Sequence, residues 1–376
     1  MGDLGKKAWV SFFICLFCAA VLGFLFWMWD SHIREWRRRL GSSQQEQLAK
    51  RQELQMKSES KYPVLAKIRA RGGEITYDED DPEFPVTGIE MGHVNGDPMP
   101  MPQDILAELR PLARLDSIHF FRVILTDNDL RQLSGLSQVR FLKFYHSPIS
   151  DGSLEHLKDM TQLNILVLKE TGITDAGLKH IQNMTHLGWL DISSNPIVGG
   201  GLTNLSKMNE LETLQLYDAP LGDEGLRHLK DLKRLEQLII DNTEITNAGL
   251  AYLKEFPKLR NLNLTNTDIS DAGLPHLKGI STLTILTLDG TQVTDSGINH
   301  IAELKQLQML GLSRTNVTNE GLKKLKALKR LGHVDASGTK VDSIGRQQLQ
   351  EFIPDVHVEI DEPERLLDKD PLQPPI

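Results

Sequence analysis

The segment Ile173-Thr174-Asp175-Ala176-Gly177-Leu178 returns along the chain at a fixed interval of 24 residues. Close copies of this hexad begin at Ile245, Ile269, Val293 and Val317, and weaker copies on the same grid begin at Leu125, Ile149, Ile197, Leu221 and Val341. No insertion or deletion interrupts the series. Self-similarity at a period of roughly 20 to 50 residues is typical of solenoids, in which each unit buries its apolar face only against its neighbours.

The apolar positions of one unit predict one strand and one short helix around a shared core. Leu166 and Leu168 have the alternating spacing that places two side chains on one side of a strand. Ile173 then marks a turn, and Leu178 and Ile181 are spaced as on one turn of a helix. The fold class we predict is therefore an α/β solenoid.

The polar positions of the unit are predicted to hold the coil together. Thr174 and Asp175 are placed to accept hydrogen bonds from free backbone N–H groups at the turn, and Gly177 is expected to pack where a side chain would strike the neighbouring coil. A further set of polar residues follows each strand and is expected to stack into a hydrogen-bonding ladder at the bend. Its members are Thr171, Thr243, Thr267, Thr291, Thr315 and Thr339, with Ser147 and Asn195 as substitutes. Three glycines interrupt the pattern between Asn195 and Leu202, where we expect a looser or locally bent coil.

The full pattern, L-x-x-L-x-L-x-x-T-x-I-T-D-x-G-L-x-x-L, resembles a leucine-rich repeat (LRR) over about residues 115–360. The D-x-G-L variant is similar to bacterial membrane-tethered LRR proteins, and more distantly to ribonuclease inhibitor and to the LRR substrate receptors of ubiquitin ligases. The resemblance implies a curved horseshoe with a parallel β-sheet on the concave face and short helices on the convex face, and a concave face that usually binds a protein. No F-box precedes the repeats, so the resemblance does not extend to a ubiquitin-ligase role.

Residues 8–29 form an uncharged apolar run with Trp9 near one end and Trp27 and Trp29 at the other. At ~1.5 Å per residue a helix of this length spans roughly 33 Å, enough to cross a bilayer. We predict a single transmembrane helix. A cleaved signal peptide, with Cys18-Ala19-Ala20 at its cleavage site, is the alternative, but the apolar region of a signal peptide is normally only ~7 to 15 residues long.

Basic residues flank the apolar run on both sides, with more of them after it than before it. Lys6 and Lys7 precede the run, and Arg34 and Arg37 to Arg39 follow it. By the positive-inside rule this distribution favours a single-pass membrane protein whose repeat domain is cytoplasmic.

Composition and pattern divide the chain into six segments. They are an N-terminal tail (1–7), the transmembrane helix (8–29), a juxtamembrane basic segment and polar stalk (30–61), an N-terminal cap (62–114), about ten repeats plus a final strand (115–360), and a disordered acidic, proline-containing tail (361–376). Within the cap we predict a helix over 63–70 and strands over 74–77 and 86–91.

Side chains that alternate with the core leucines of each strand are predicted to point outward from the sheet. Large outward residues concentrate in the N-terminal half of the repeats, and exposed aromatic clusters are typical of binding hot spots. The predicted partner-binding residues are Phe121, Phe141, Lys143, Tyr145, Ile165, Val167, Lys169, Trp189, Asp191 and Tyr217. The alternative is that the cap or stalk folds over this patch, or that some of its rings only cover neighbouring strands.

The remaining composition argues against several kinds of site. A net charge of -9 disfavours nucleic acid as a partner, and we expect no basic stripe along the repeats. Cys15 and Cys18 both lie in the apolar run, which leaves the rest of the chain without a disulfide or a thiolate metal site. Histidines that recur at the G-L-x-H-L position are read as repeat consensus; they are His156, His180, His228, His276 and His300. No common catalytic motif occurs, so we predict no enzymatic activity, no cofactor, no metal and no small-molecule substrate.

Three functions remain open. The first is a membrane-anchored scaffold or adaptor that binds a protein partner through its concave face. The second is a regulator or inhibitor that wraps an enzyme. The third is a cell-surface receptor or adhesion protein, which requires the repeats to lie outside the cell.

Overall fold

The computed structural model of the chain describes residues 42–94, 97–102 and 105–361, with side chains described from residue 48 onward. The predicted membrane helix at residues 8–29, the basic residues after it and the tail beyond residue 361 lie outside this part. None of the helices in the described part is long and apolar enough to cross a membrane. Contacts divide the chain into two units, Met1–Pro63 with Asp80–Phe84, and Val64–Glu79 with Pro85–Ile376.

In the first unit, the described residues include the polar helix α1 (Ser42–Lys61), which lies within the predicted stalk. Its side chains are mostly exposed, including those of Leu48 and Met56, and Glu53 pairs with Lys57 at 2.7 Å one turn later. Gln, Glu, Lys and Leu are good helix formers, so local propensity favours this helix although it has no apolar stripe.

The second unit is built on a sheet of thirteen strands in which the first pair is antiparallel and all later neighbours are parallel. Its strands, in spatial order, are β1 (Glu74–Tyr77), β2 (Val86–Gly92), β4 (Ser117–Phe121), β6 (Phe141–Tyr145), β7 (Ile165–Lys169), β8 (Trp189–Asp191), β9 (Thr213–Gln215), β10 (Gln237–Ile239), β11 (Asn261–Asn263), β12 (Ile285–Thr287), β13 (Met309–Gly311), β14 (His333–Asp335) and β15 (His357–Glu359). A separate two-stranded sheet joins β3 (Met99–Pro100) to β5 (Val123–Ile124).

Short helices connect the strands. The α-helices of this unit are α2 (Pro63–Arg69), α3 (Ile105–Glu108), α4 (Asp127–Leu133), α5 (Asp223–His228), α6 (Asp295–Ile301), α7 (Asn319–Lys324) and α8 (Ser343–Phe352). The 3₁₀ segments are Ser153–Leu157, Gly177–His180, Gly200–Leu205, Gly249–Glu255, Leu274–Gly279 and Leu325–Ala327. The helix and strands predicted for the cap, and the final strand of the repeats, are all confirmed within one or two residues of their ends.

The 24-residue period of the sequence also sets the register of the parallel sheet, because residues 24 apart lie opposite each other on neighbouring strands. Leu238 lies opposite Leu214 on one side and Leu262 on the other, so equivalent leucines stack in columns. Leu166, Leu168, Ile173, Leu178 and Ile181 of the reference unit are all fully buried, which confirms the predicted core. Because each coil contacts only the coils beside it, this core runs continuously along the unit.

Hydrogen bonds between coils are supplied by the aspartate of the D-x-G-L motif. Asp295 Oδ1 accepts the backbone N–H of Thr318 in the next coil at 2.8 Å, and its Oδ2 accepts the Thr318 hydroxyl at 2.6 Å. A Cβ added at Gly321 would collide with Asp295 Oδ1. The prediction that the glycine packs closely against the neighbouring coil is confirmed. The group that it packs against is the aspartate side chain of the preceding coil.

The same arrangement recurs along the repeats, either with aspartate or with asparagine as the acceptor. The donating and accepting pairs are Thr174 with Asp151, Thr246 with Asp223, Ser270 with Asn247, Thr294 with Asp271, and Asp342 with Asn319.

The prediction that the threonines at the bend form a hydrogen-bonding ladder from coil to coil is wrong. Thr243 Oγ1 donates to the carbonyl of Ile240, three residues earlier in its own coil, and the equivalent threonines do the same. The two substitutes do link neighbouring coils there. Ser147 Oγ accepts the N–H of Val123 at 3.0 Å. Asn195 Oδ1 accepts the N–H groups of Thr171 and Gly172, and Asn195 Nδ2 donates to the carbonyl of Leu168.

The glycine-rich coil between Asn195 and Leu202 is packed closely, so the expectation of a looser coil is wrong. A Cβ at Gly199, where φ is 117°, would meet the Cα of Gly225 at 2.6 Å, and a Cβ at Gly201 would strike the backbone of Asp175. The Asp175 carboxylate accepts the N–H groups of Val198, Gly199 and Gly201. These glycines allow backbone to approach backbone where other coils place a side chain.

Candidate functional site: the aromatic half of the concave face

The register of the sheet brings the predicted partner-binding residues onto its outward side. Nine of them form three rows across neighbouring strands. One row is Phe141, Ile165 and Trp189, the second is Lys143, Val167 and Asp191, and the third is Phe121, Tyr145 and Lys169. Tyr217 follows β9 and its carbonyl accepts the N–H of Ser194, so the pairing extends past the strand. We call this set of ten residues the aromatic patch.

Exposure differs within the aromatic patch. Trp189 is 38% exposed, and most of the other members are half-buried by their neighbours on adjacent strands. Val167 and Asp191 retain only 3% and 5% of their surface. They therefore form the floor of the patch and offer a partner little contact area.

Two rings of the patch are stacked on each other. The centroids of Phe121 and Tyr145 are 4.8 Å apart with the ring planes 9° from parallel, and Phe120 and Phe144 repeat the arrangement on the core side at 5.0 Å. Part of the aromatic surface thus covers the adjacent strand, as the alternative interpretation of the patch required. The stack also fixes the rings, which lowers the entropy lost when a partner packs against them.

Lys169 and Tyr217 form the other ordered contact of the patch. The Lys169 ammonium lies 4.9 Å from the centre of the Tyr217 ring, within the range of a cation–π interaction. Burial alone would lower the pKa of Lys169, but the interaction with Tyr217, together with the nearby carboxylates of Asp191 and Glu170, raises it overall. Lys169 is therefore a fixed positive charge.

Asp191 lies buried beneath the patch. Burial raises the pKa of its carboxyl group, while a hydrogen bond from the Ser193 N–H at 3.0 Å and the charge of Lys169 act in the opposite direction. A carboxylate held in place in this way can orient a lysine without being exposed itself.

Two polar residues outside the predicted set extend the patch toward the cap. Glu90 of β2 lies opposite His119 of β4, and His119 lies opposite Lys143. Burial, and then the charge of Lys143, lower the pKa of His119 to about 4, so the ring is neutral at neutral pH. His119 Nε2 lies 3.0 Å from the Ser117 hydroxyl, and Nδ1 lies 3.8 Å from the Glu90 carboxylate.

The alternation along the strand also predicts that His119 points outward, but neither His119 nor Glu90 is among the ten predicted partner-binding residues. The strand that carries Glu90 could be predicted, but its position beside β4 could not, because the cap does not follow the 24-residue grid.

A cleft of about 420 Å³ opens beside Trp189 at the edge where the strands begin. Ile165 and Trp189 belong to the aromatic patch, whereas Glu210, Glu212 and Arg234 come from the loops that lead into the strands. Arg234 donates to Glu212 at 2.5 Å across two neighbouring coils. This edge of the patch is therefore polar, as the rims of protein interfaces usually are.

Charge is divided unevenly in the five coils from residue 226 to residue 345. Segments that run from within each helix to the start of the next strand carry fourteen lysines and arginines and four acidic residues, whereas the rest of these coils carries two basic and nine acidic residues. The expectation of no basic stripe along the repeats is therefore wrong. We call the surface of these segments, residues 226–236, 250–260, 274–284, 298–308 and 322–332, the basic stripe.

Within residues 42–94, 97–102 and 105–361 there is no group of three or more His, Cys, Asp or Glu side chains arranged to hold a metal ion. The recurring histidines lie one per coil on the helical side. The aromatic patch, with its fixed rings and lysine, is a surface suited to contact with another molecule.

Comparisons with known proteins agree with this architecture. A family model described as a leucine-rich repeat matches residues 257–274, and no protein of curated function matches the sequence. An internalin from Listeria monocytogenes is 22% identical with a TM-score of 0.52, over 69% of this chain and 77% of that one. An LRR protein of Leptospira interrogans is 15% identical with a TM-score of 0.50, over 74% of this chain and 72% of that one. At these identities the likeness concerns the fold, and LRR domains are generally protein-interaction scaffolds. The unbroken 24-residue repeat, the parallel sheet in the same register and these matches together identify the chain as a leucine-rich-repeat protein.

Proposed function

We propose that this chain is a non-enzymatic, membrane-anchored scaffold that binds a protein partner through the aromatic patch. The observation that carries the proposal is the concentration of large, pre-positioned side chains on one half of the outward sheet face. Core packing does not require them, because the leucines on the other side of each strand already fill the core.

The opposite half of the same face supports this assignment by contrast. From β10 to β14 the outward positions carry mainly small and polar residues, with Asp241, Asn263 and Asp289 among them. Burial raises the pKa of Asp241 and of Asp289. A partner that needs an apolar anchor therefore finds it in the N-terminal half, around Trp189 and Tyr145.

The anchor in the proposal is the apolar run at residues 8–29. The basic residues that follow it favour repeats that lie on the cytoplasmic side. Proteolysis of intact cells tests this part alone, since a cytoplasmic repeat domain is protected. Cleavage of the repeats by added protease would instead favour a cell-surface receptor or adhesion protein.

The binding proposal is tested with the variant Trp189→Ala/Tyr145→Ala in the full chain. Proximity labelling from the unsubstituted chain first identifies the partner, and recovery of that partner is then compared. We expect each of the two substitutions to cost about thirtyfold or more in affinity, because aromatic anchors that become buried at hot spots each contribute ~2 kcal/mol or more.

The matched control is Met309→Ala/Ile285→Ala, which removes one exposed and one half-buried outward side chain from the other half of the same face. We expect this control to bind like the unsubstituted chain. Both variants should still unfold cooperatively, although Tyr145→Ala lowers the melting temperature somewhat because it removes the ring stacked on Phe121. Unchanged recovery with Trp189→Ala/Tyr145→Ala would remove the patch as the binding surface. If the partner is an enzyme whose activity falls on binding, the regulator is favoured over the scaffold.

A further inference from the structure

We propose that the basic stripe lies against the anionic headgroups of the membrane that holds the chain. The ligand is a layer of lipid phosphates, and the consequence is a fixed orientation of the repeats at the membrane surface. This inference rests on the proposed anchor, because an anchored chain keeps the bilayer within constant reach of the stripe.

Basic residues recur at equivalent places in neighbouring coils of the stripe. Lys230, Lys254, Lys278 and Lys326 occupy one such place and are all exposed. Parallel strands lie about 4.8 Å apart and each coil lies directly beside the next, so these side chains form a row along one side of the repeats. A row of this kind can contact several lipid headgroups at once.

Acidic partners neutralise only part of the stripe. Lys233 pairs with Glu255 at 3.3 Å and Lys278 pairs with Glu303 at 2.8 Å. Arg260 lies 3.5 Å from Glu236. Arg227 pairs with Glu224, and Arg234 pairs with Glu212, both of which lie outside the stripe. Five of the fourteen basic residues are thus paired, and Asp231 is the one acidic side chain of the stripe outside these pairs.

The last coil of the stripe carries the densest charge. Its segment, residues 322–332, contains five basic residues and no acidic one, namely Lys323, Lys324, Lys326, Lys329 and Arg330. Their contacts are with neutral groups. Lys324 and Lys329 donate to backbone carbonyls, and Lys326 lies over the ring of Phe352 at 5.3 Å. None of the five pairs with a carboxylate in the described part of the chain, so this end presents uncompensated charge.

The chemistry of the stripe favours a lipid surface over nucleic acid. Ten of its fourteen basic residues are lysines, which act as hydrated point charges. Its aromatic residues, Tyr252 and Phe256, are half-buried and buried respectively, so they offer no platform on which bases could stack. Lysines near an anionic bilayer add their attractions without needing a groove or a specific geometry.

The acidic remainder of the same coils sets the orientation. Surface charges are screened beyond about 8 Å at physiological salt, so the membrane attracts the side that faces it and repels acidic residues brought close to it. Asp268, Asp289 and Asp335 lie outside the stripe, on the bends and the outward face of the sheet. With the stripe toward the bilayer, the outward sheet face is kept clear of the lipid and open to a partner.

The test uses the full chain with Cys15 and Cys18 replaced by Ala and one new cysteine carrying a fluorophore. The label is placed at Ala327, which is exposed within the stripe, or at Gln292, which is exposed outside it. The protein is incorporated into vesicles of phosphatidylcholine, or of two parts phosphatidylcholine to one part phosphatidylglycerol, that contain a headgroup-attached nitroxide quencher. We expect the label at Ala327 to be quenched severalfold more in the anionic vesicles, and the label at Gln292 to be quenched equally in both.

Two variants that each remove four basic residues distinguish an effect of the stripe from an effect of net charge. Lys323→Gln/Lys326→Gln/Lys329→Gln/Arg330→Gln is expected to abolish the extra quenching at Ala327. Arg140→Gln/Lys158→Gln/Lys179→Gln/Lys207→Gln removes four exposed basic residues from other coils and is expected to leave it intact. High salt should have the same effect as the first variant, because it screens exposed charges.

Equal quenching at Ala327 in the two kinds of vesicle would overturn the inference. It would also be overturned if a labelled DNA duplex or a poly-glutamate peptide bound the stripe at physiological salt while the anionic vesicles had no effect. Flotation of the chain with pure phosphatidylcholine vesicles tests the anchor independently, so loss of flotation marks a failure of the proposed function.

Discussion

At the scale of single residues, the D-x-G-L motif works across the boundary between coils. Asp295 satisfies a backbone N–H and a hydroxyl of Thr318, and Gly321 leaves room for its carboxylate. The sequence predicts an acceptor and a close approach from the residue types alone. It does not show that the acceptor serves the next coil, because the partner lies 23 residues away and only the register of the sheet brings the two together.

Asp295→Ala is expected to lower the free energy of unfolding by about 1–3 kcal/mol, since it leaves a partly buried N–H and hydroxyl without their acceptor. Asp295→Asn is expected to cost much less. Asn247 already occupies the equivalent place in another coil, where its Oδ1 accepts the Ser270 N–H and its Nδ2 bonds to the Ser270 hydroxyl. Urea denaturation of the two variants checks this, and equal losses would show that the carboxylate charge is what matters.

His119 predicts a dependence of stability on pH. Its pKa is about 4 in the folded chain and about 6.5 when unfolded, so the unfolded state binds more protons between these values. Stability from this group is therefore present above about pH 6.5 and is lost as pH falls toward 4. The full shift corresponds to about 3 kcal/mol, and solvent screening of the partly exposed ring reduces the loss to on the order of 2 kcal/mol.

His119→Gln should flatten that loss, measured as the difference in unfolding free energy between the variant and the unsubstituted chain. Burial raises the pKa of the Asp191 and Glu90 carboxyls, so these two groups stabilise the folded state as pH falls and oppose the effect of His119. Taking the difference between the two chains removes their contribution. A difference that stays constant from pH 7 to pH 4 would contradict the assignment of the low pKa to His119.

At the scale of elements, the strands of the sheet differ in length although their sequences alternate alike. β6 and β7 have five residues each, whereas β8 and the strands that follow it in the sheet have three. The pattern Trp189 to Ser193 repeats the alternation of Ile165 to Lys169, so sequence could predict both strands but not the difference. Backbone hydrogen bonds continue beyond the short strands, from the Ile192 N–H to the Gln215 carbonyl and from the Ser194 N–H to the Tyr217 carbonyl, so neighbouring coils stay paired where the regular strand ends.

Asn195→Ala is expected to lower the free energy of unfolding by roughly 2–4 kcal/mol. The change leaves the N–H groups of Thr171 and Gly172 buried or half-buried without an acceptor. Asn195→Thr restores the residue that other coils have at this place and should recover part of the loss. Chemical denaturation measures both, and equal stability of Asn195→Ala and the unsubstituted chain would show that water replaces the amide.

At the scale of the whole molecule, the repeat period could be predicted from the sequence, because residues 24 apart in the motif are also the residues that lie opposite each other in the sheet. The distribution of charge could not be predicted from net charge, since a balance of -9 conceals a basic side and an acidic side in the same coils. The floor of the aromatic patch also escaped prediction. Val167 alternates outward like Lys143, but the larger residues around it leave it only 3% exposed.

Deletion of residues 250–273, one complete period, should yield a folded chain in which β10 pairs with β12. The junction joins Gly249 to Leu274 and so restores a G-L pair. Far-ultraviolet circular dichroism should keep its shape while the free energy of unfolding falls by a few kcal/mol, because one coil interface is lost. Deletion of 250–261, half a period, should break cooperative unfolding. If both deletions behave alike, the grid does not govern folding.

The aspartate bridges have a direction, and that direction matters while the chain is being made. In each bridge the acceptor belongs to the earlier coil and the backbone donor to the later one, as with Asp271 and Thr294. A ribosome delivers the earlier coil first. A newly synthesised coil that donates to such a bridge therefore emerges next to a folded surface that already presents the oxygens it needs, so these repeats are suited to fold progressively from the N-terminal cap as translation proceeds.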